Sequence, residues 1–127
     1  MEWEPIERGR PEVDGVDPDY EGLLRVRIDL SRRPSREWAE FFLNPVGVGI
    51  SLSMHPPELS GSSISIRPPD TELETYVAHV DERIEAANER YEQEVLPTLR
   101  RAAETRAGEE EERTRRLEDA KKRAEDL

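Results

Sequence analysis

The sequence predicts an α+β fold of order β-α-β-β-α, with a three-stranded, mostly antiparallel sheet, a short helix and a long C-terminal helix. Three patterns predict it: apolar and charged residues alternate from Leu24 to Leu30, apolar residues recur at spacings of three and four over 34–43, and a longer run of such spacings begins near Asp70. Because only 34% of the 127 residues are apolar, we expect one modest core.

Residues 1–21 are predicted to form an acidic, extended and partly disordered arm. They hold three prolines and eight acidic residues, and their apolar residues follow no sustained period of 2 or 3.6. A small head over 22–69 follows, then a long amphipathic helix over 70–107, and a charged tail over 108–127 that is either helical or disordered.

The head begins with the alternating strand, in which the even positions are apolar. A short helix over 34–43 follows, with Pro34 at its first position and Trp38, Phe41 and Phe42 on one face. Alternation returns over 48–54 and over 64–66, and the turn-rich stretch between these segments predicts an antiparallel hairpin. We expect the third strand to lie between the first two, with one edge strand left open.

The long helix carries a heptad seam that starts at Leu73 and continues, after a slip of one residue, beyond Tyr91. Pro97 is expected to kink or restart the helix. A helix over 70–107 would be about 57 Å long, more than a three-stranded sheet can cover. We therefore predict that the seam binds a partner through Ile84, Tyr91, Val95 and Leu99.

The charged tail has several acids placed four residues before a base, as in Glu109 with Arg113 and Glu112 with Arg116. Leu117, Ala120, Ala124 and Leu127 continue a thin apolar seam that could extend a coiled coil.

The sheet face opposite the helices is predicted to be hydroxyl-rich and basic, and it is the second candidate partner-binding surface. Arginine offers forked donors to anions, and serine adds hydrogen bonds without bulk. Clustered arginines repel one another, so we expect the acidic arm or an acidic partner to lie over this face. Its residues are Arg25, Arg27, Ser51, Ser53, Ser63, Ser65 and Arg67.

No catalytic or metal-ligating constellation is predicted, and no cofactor is expected. The chain has no cysteine and two histidines, and it lacks a Gly-x-Ser-x-Gly elbow and a phosphate-binding loop. A net charge of −11 disfavours direct nucleic-acid binding. No signal peptide or membrane span is predicted, so a cytoplasmic location is expected.

These observations predict a non-enzymatic protein–protein interaction module, which self-associates or serves as an accessory subunit of a larger complex through its long helix. The alternative is an acidic, antitoxin-like inhibitor of a basic, nucleic-acid-processing protein. No small-molecule substrate is indicated, and a small hydrolase or metalloenzyme is disfavoured because no constellation supports it.

Overall fold

The computed structural model describes residues 3–46 and 55–127. The chain forms two compact units, Met1–Tyr91 and Glu92–Leu127. The first holds the sheet and two helices, and the second is mainly one long helix. The α+β class, the antiparallel sheet and the long C-terminal helix are thus confirmed.

The sheet has four strands, so the prediction of three is wrong. The strands are β1 (Glu12–Val16), β2 (Leu24–Asp29), β3 (Glu58–Ser60) and β4 (Ser63–Ile66), and their order is β1-β2-β4-β3. All three pairings between them are antiparallel. The additional strand, β1, comes from the segment that was predicted to be an arm.

A β-bulge explains why the sequence pattern of β1 does not predict a strand. Val13 pairs with Val26 and Val16 pairs with Leu24, so both valines lie on the same sheet face although they are three residues apart. The register shifts between Val13 and Gly15, because the bulge inserts one extra residue. The apolar spacing of two that normally signals a strand is thereby lost.

The hairpin differs in its first strand from the prediction. β4 pairs with β3 across a two-residue turn, where Gly61 has a φ of 61°, a conformation that glycine adopts readily. β3 therefore occupies part of the stretch predicted to be a turn. The predicted strand over 48–54 lies outside the described residues.

Two helices cover the inner face of the sheet. α1 spans Arg36–Leu43, and its N-cap is Ser35, whose hydroxyl accepts a hydrogen bond from the Trp38 amide at 3.3 Å. Pro34 therefore precedes the helix rather than starting it. α2 spans Leu73–Arg90 after a 3₁₀ turn at Asp70–Glu72. The core of the first unit combines strand residues with helix residues, namely Val26, Ile28, Ile64, Ile66, Trp38, Phe42, Val80 and Ile84.

Residues 6–9 are held against the core, which corrects the prediction of partial disorder there. Ile6 is buried, and its backbone N–H and C=O both bond to the side-chain amide of Asn88, each at 3.0 Å. Arg8 forms an ion pair with Asp81, and the Gly9 amide donates to the Asp29 carbonyl at 2.7 Å. These long-range contacts have no local signal in the sequence.

After α2, a π-helical segment over Tyr91–Val95 leads into α3, which spans Leu96–Glu125. The π-helical segment accommodates the slip of one residue in the apolar spacing, and it lies just before Pro97, which has no N–H to donate into the preceding turn. A new α-helix thus begins at Leu96 with Pro97 in its first turn, which agrees with the restart, one of the two outcomes expected at Pro97. α3 continues through Gly108, so no helix end marks the expected boundary between 107 and 108.

No helix in the described part of the chain is both long enough and apolar enough to cross a membrane.

Candidate interaction surfaces

The outer face of the sheet is the face that points away from α1 and α2. Alternation along β2 places Arg25, Arg27 and Asp29 on it, because Val26 and Ile28 point into the core. The same rule places Ser63 and Ser65 of β4 on it, with Arg67 just beyond the strand. The structure therefore brings five of the seven predicted face residues together. Ser51 and Ser53 lie outside the described residues.

One row of cross-strand neighbours on this face contains both acidic and basic side chains. Arg27 lies between Glu12 of β1 and Ser65 of β4, and Glu58 of β3 lies beyond Ser65. The Arg27 guanidinium forms an ion pair with Glu12, and its Nε is 3.6 Å from Oδ1 of Asp29. The hydrogen bond to Glu12 is the main reason that the pKa of Arg27 is raised.

A second arginine is paired with a buried acid. The Asp17 side chain is 2% exposed, and its Oδ2 lies 3.2 Å from Nε of Arg67. The other oxygen, Oδ1, accepts a hydrogen bond from the Asp19 amide at 2.8 Å. Asp17 follows directly after β1, so the strand that the sequence pattern does not predict positions this acid beside Arg67. Glu12 and Asp17 are thus the two outer-face partners that sequence reasoning missed.

Arg25 differs from the other two arginines because its side chain has no ion-pair or hydrogen-bond partner within residues 3–46 and 55–127. Its neighbour on β1 is Gly15, which has no side chain to offer. Arg25 lines a shallow depression of about 270 Å³ together with Asp14, Val26, Arg27, Glu58, Ser65, Ile66 and Arg67. The negative charges of Asp14 and Glu58 offset most of the positive charge of the three arginines in this lining.

Acids of the chain's own N-terminal segment therefore pair with two of the three arginines on the outer face. The acidic segment was expected to lie over this face, but it forms the edge strand β1 beside β2 instead. Of the three arginines, Arg25 is the one whose guanidinium has no carboxylate partner among the described residues, and a single exposed arginine beside two carboxylates is a weak anion site. This geometry gives less support to partner binding here than the sequence suggests.

The predicted helix seam divides into buried and exposed residues. Ile84 and Tyr91 are each 6% exposed, and Tyr91 stacks on Trp3 with a centroid distance of 5.0 Å. These two side chains belong to the core of the first unit, so their assignment to a partner needs correction. Val95 is half-buried, whereas Leu99 is 50% exposed. Of the four predicted seam residues, Leu99 is the one that best offers an apolar surface.

From Leu99 onward, α3 carries an unbroken heptad register. Residues at alternating spacings of four and three share one face of a helix. Leu99 begins this face, and Leu117, which is 57% exposed, lies further along it, with Ala103 and three charged residues between the two leucines. We call this set the α3 seam: Leu99, Ala103, Arg106, Glu110, Arg113, Leu117, Ala120 and Ala124.

The charges of α3 are mixed rather than acidic. The helix holds nine basic and eight acidic residues, whereas the rest of the chain holds 10 basic and 22 acidic residues. Two of the predicted pairs along the helix are present, Glu109 with Arg113 at 4.0 Å and Glu112 with Arg116 at 2.8 Å. Such exposed pairs support the helix modestly.

A buried polar pair on α2 links this helix to the end of α1. Arg83 donates from Nε to Nε2 of His79 at 2.8 Å and from Nη1 to the Phe42 carbonyl at 3.0 Å. The arginine thus caps the C-terminal end of α1, where the helix dipole favours a cation. Burial, and secondly the charge of Arg83, lowers the pKa of His79. In the described residues, no group of three or more His, Asp or Glu side chains is arranged to hold a metal ion.

Comparison with known proteins gives no match to any family model, to any curated protein or to any solved structure.

Proposed function

We propose that the protein is a non-enzymatic protein–protein interaction module that acts through the α3 seam. The observation that carries this proposal is the exposure of α3. The helix has 30 residues and a length of about 45 Å at 1.5 Å per residue, and every residue from Thr98 to Leu127 is exposed. Helices in proteins derive most of their stability from packing an apolar face, so a seam of this length favours a helical partner.

The charge distribution favours this role over the inhibitor alternative. An inhibitor that fills a basic groove with its helix needs a strongly acidic helix. α3 has one more basic residue than acidic residues, and the negative charge of the chain lies outside it. The mixed pattern suits a partner helix that also carries both signs.

Photo-crosslinking from the seam tests this function. A photoreactive amino acid replaces Leu117 in the full chain, which is expressed in its native cells and irradiated. We expect a discrete covalent adduct, either with another copy of the chain or with one other protein. The matched control places the same amino acid at Arg115, which lies on the opposite side of the helix and should give no discrete adduct. Equal labelling at both positions, or no adduct from position 117, would overturn the proposal.

A further inference from the structure

The sequence of charges along the α3 seam specifies a partner. This inference rests on the proposed function and names the occupant of the seam. Between Leu99 and Leu117 the seam places Arg106, Glu110 and Arg113 at positions that face a partner helix in a two-stranded coiled coil. Charged residues at such positions are costly unless the partner offers the opposite charge. They therefore determine which pairings are permitted.

Parallel pairing of two copies in register is unfavourable. In that arrangement each seam residue meets its own equivalent, so Arg106 faces Arg106, Glu110 faces Glu110 and Arg113 faces Arg113. Three successive layers would hold like charges in a partly desolvated interface. Like-charge juxtaposition of this kind suppresses a pairing mode.

Antiparallel pairing removes this conflict. When Leu99 of one copy lies opposite Leu117 of the other, Arg106 of each copy lies opposite Glu110 of the other. The third layer sets Arg113 opposite Ala103, whose small side chain leaves room for the arginine stem. By symmetry every layer occurs twice, so two leucine layers flank two Arg–Glu layers. Shifting the alignment by one heptad would keep an Arg–Glu layer, with Glu110 opposite Arg113. It would, however, set Leu117 opposite Arg106 and Leu99 opposite Ala124, so both leucine layers would be lost.

We propose that α3 pairs with α3 of a second copy in this antiparallel alignment. The paired stretch from Leu99 to Leu117 is 19 residues, about 27 Å, and lies wholly within the second unit. Its leucines are exposed by 50% and 57% in the single chain, so pairing would bury apolar surface that is now in water. With only two leucines per copy, the dimer is expected to be weak and reversible.

Complementary charge reversals test the inter-chain Arg–Glu layers. Sedimentation equilibrium of the full chain at concentrations up to about 1 mM should show a monomer–dimer equilibrium for the wild type. Arg106→Glu and Glu110→Arg should each raise the dimer dissociation constant by at least about tenfold, because each places like charges in both layers. An equimolar mixture of the two variants should recover dimer, since each mixed layer then joins opposite charges.

The mixture isolates the contact between chains. Each variant still carries like charges at 106 and 110 within its own helix, so repair of the intrahelical pair cannot explain recovery. Arg115→Glu is the matched control: it also reverses an arginine four residues from a glutamate, Glu111, but it lies off the seam. It should leave the dissociation constant within about twofold of wild type. Circular dichroism should confirm that all variants keep α3 helical.

Disulfide trapping determines whether the two helices pair parallel or antiparallel. Only the introduced cysteines can react, because the chain has no cysteine of its own. An oxidised mixture of Leu99→Cys and Leu117→Cys should yield the mixed disulfide dimer, while each variant alone should yield little. Efficient self-trapping of Leu99→Cys would show parallel pairing and overturn the inference. A wild type that stays monomeric at the highest concentration, or a mixture that does not recover dimer, would also overturn it. In either case a photo-adduct with a different protein would leave the proposed function standing.

Discussion

Replacing Asn88 with alanine should destabilise the first unit by about 3 kcal/mol, because one side chain of α2 bonds to two other parts of the fold. Its Oδ1 accepts from the Ile6 amide at 3.0 Å and from Nε1 of Trp38 at 2.9 Å, and its Nδ2 donates to the Ile6 carbonyl at 3.0 Å. Each hydrogen bond contributes about 1 kcal/mol net. The substitution would also leave three partner groups without these bonds, namely the N–H and C=O of Ile6 and the Nε1–H of Trp38, and both residues are buried.

Urea unfolding followed by tryptophan fluorescence measures this loss, since both tryptophans belong to the first unit. Asn88→Asp is the matched control: it keeps an acceptor for Ile6 and Trp38 but loses the donor to the Ile6 carbonyl, so about 1 to 2 kcal/mol should be lost. Trp38→Phe removes the indole N–H, and a double-mutant cycle with Asn88→Ala should give a coupling of about 1 kcal/mol. An Asn88→Ala variant within about 0.5 kcal/mol of wild type would refute the reasoning.

Three further predictions concern the core, the outer face and a buried base. Trp38→Ala should cost about 3 to 5 kcal/mol, because a fully buried indole leaves a large cavity; an unchanged melting temperature would contradict this. Arg67→Ser should cost about 1 to 3 kcal/mol, because it leaves the buried Asp17 carboxylate unpaired, whereas Arg25→Ser should leave the urea midpoint nearly unchanged. Burial lowers the pKa of His79 from its ordinary 6.5, so the unfolded chain takes up this proton first as the pH falls. Stability should therefore decline as the pH falls through 6.5 toward the lower pKa of the folded state, and His79→Gln should flatten that decline in a pH series of urea titrations.

Much of the fold follows from local patterns. The alternation in β2, the apolar face of α1 with Trp38 and Phe42, and the heptad start of α2 each identify an element, because burial on one face imposes a period of 2 or 3.6. The start of a new helix at Leu96 likewise follows from a local feature, because Pro97 has no N–H to donate into the preceding turn. These features depend on residues close together in the chain, and a sequence displays them directly.

The candidate surfaces are less predictable. The arginines and serines of β2 and β4 are correctly placed on one face, but their acidic partners come from β1, whose bulge disrupts the period. The helix seam continues past Tyr91 after a slip of one residue, yet spacing alone cannot distinguish Tyr91, which stacks on Trp3, from Leu99, which is half exposed. An apolar position is the same in the sequence whether its own chain or another chain covers it.

By itself, the sequence determined the strands β2 and β4, the helices, the mixed charge of α3 and the spacing along its seam, because these depend only on composition and spacing. The tertiary structure alone decided that the N-terminal segment forms a strand, that Asn88 holds Ile6 and Trp38, and that Asp17 is buried beside Arg67. Those features join residues far apart in the chain, such as Ile6 and Asn88, 82 positions apart. A local pattern records what a residue prefers, but the partner that satisfies a buried amide or carboxylate is chosen by how the whole chain packs.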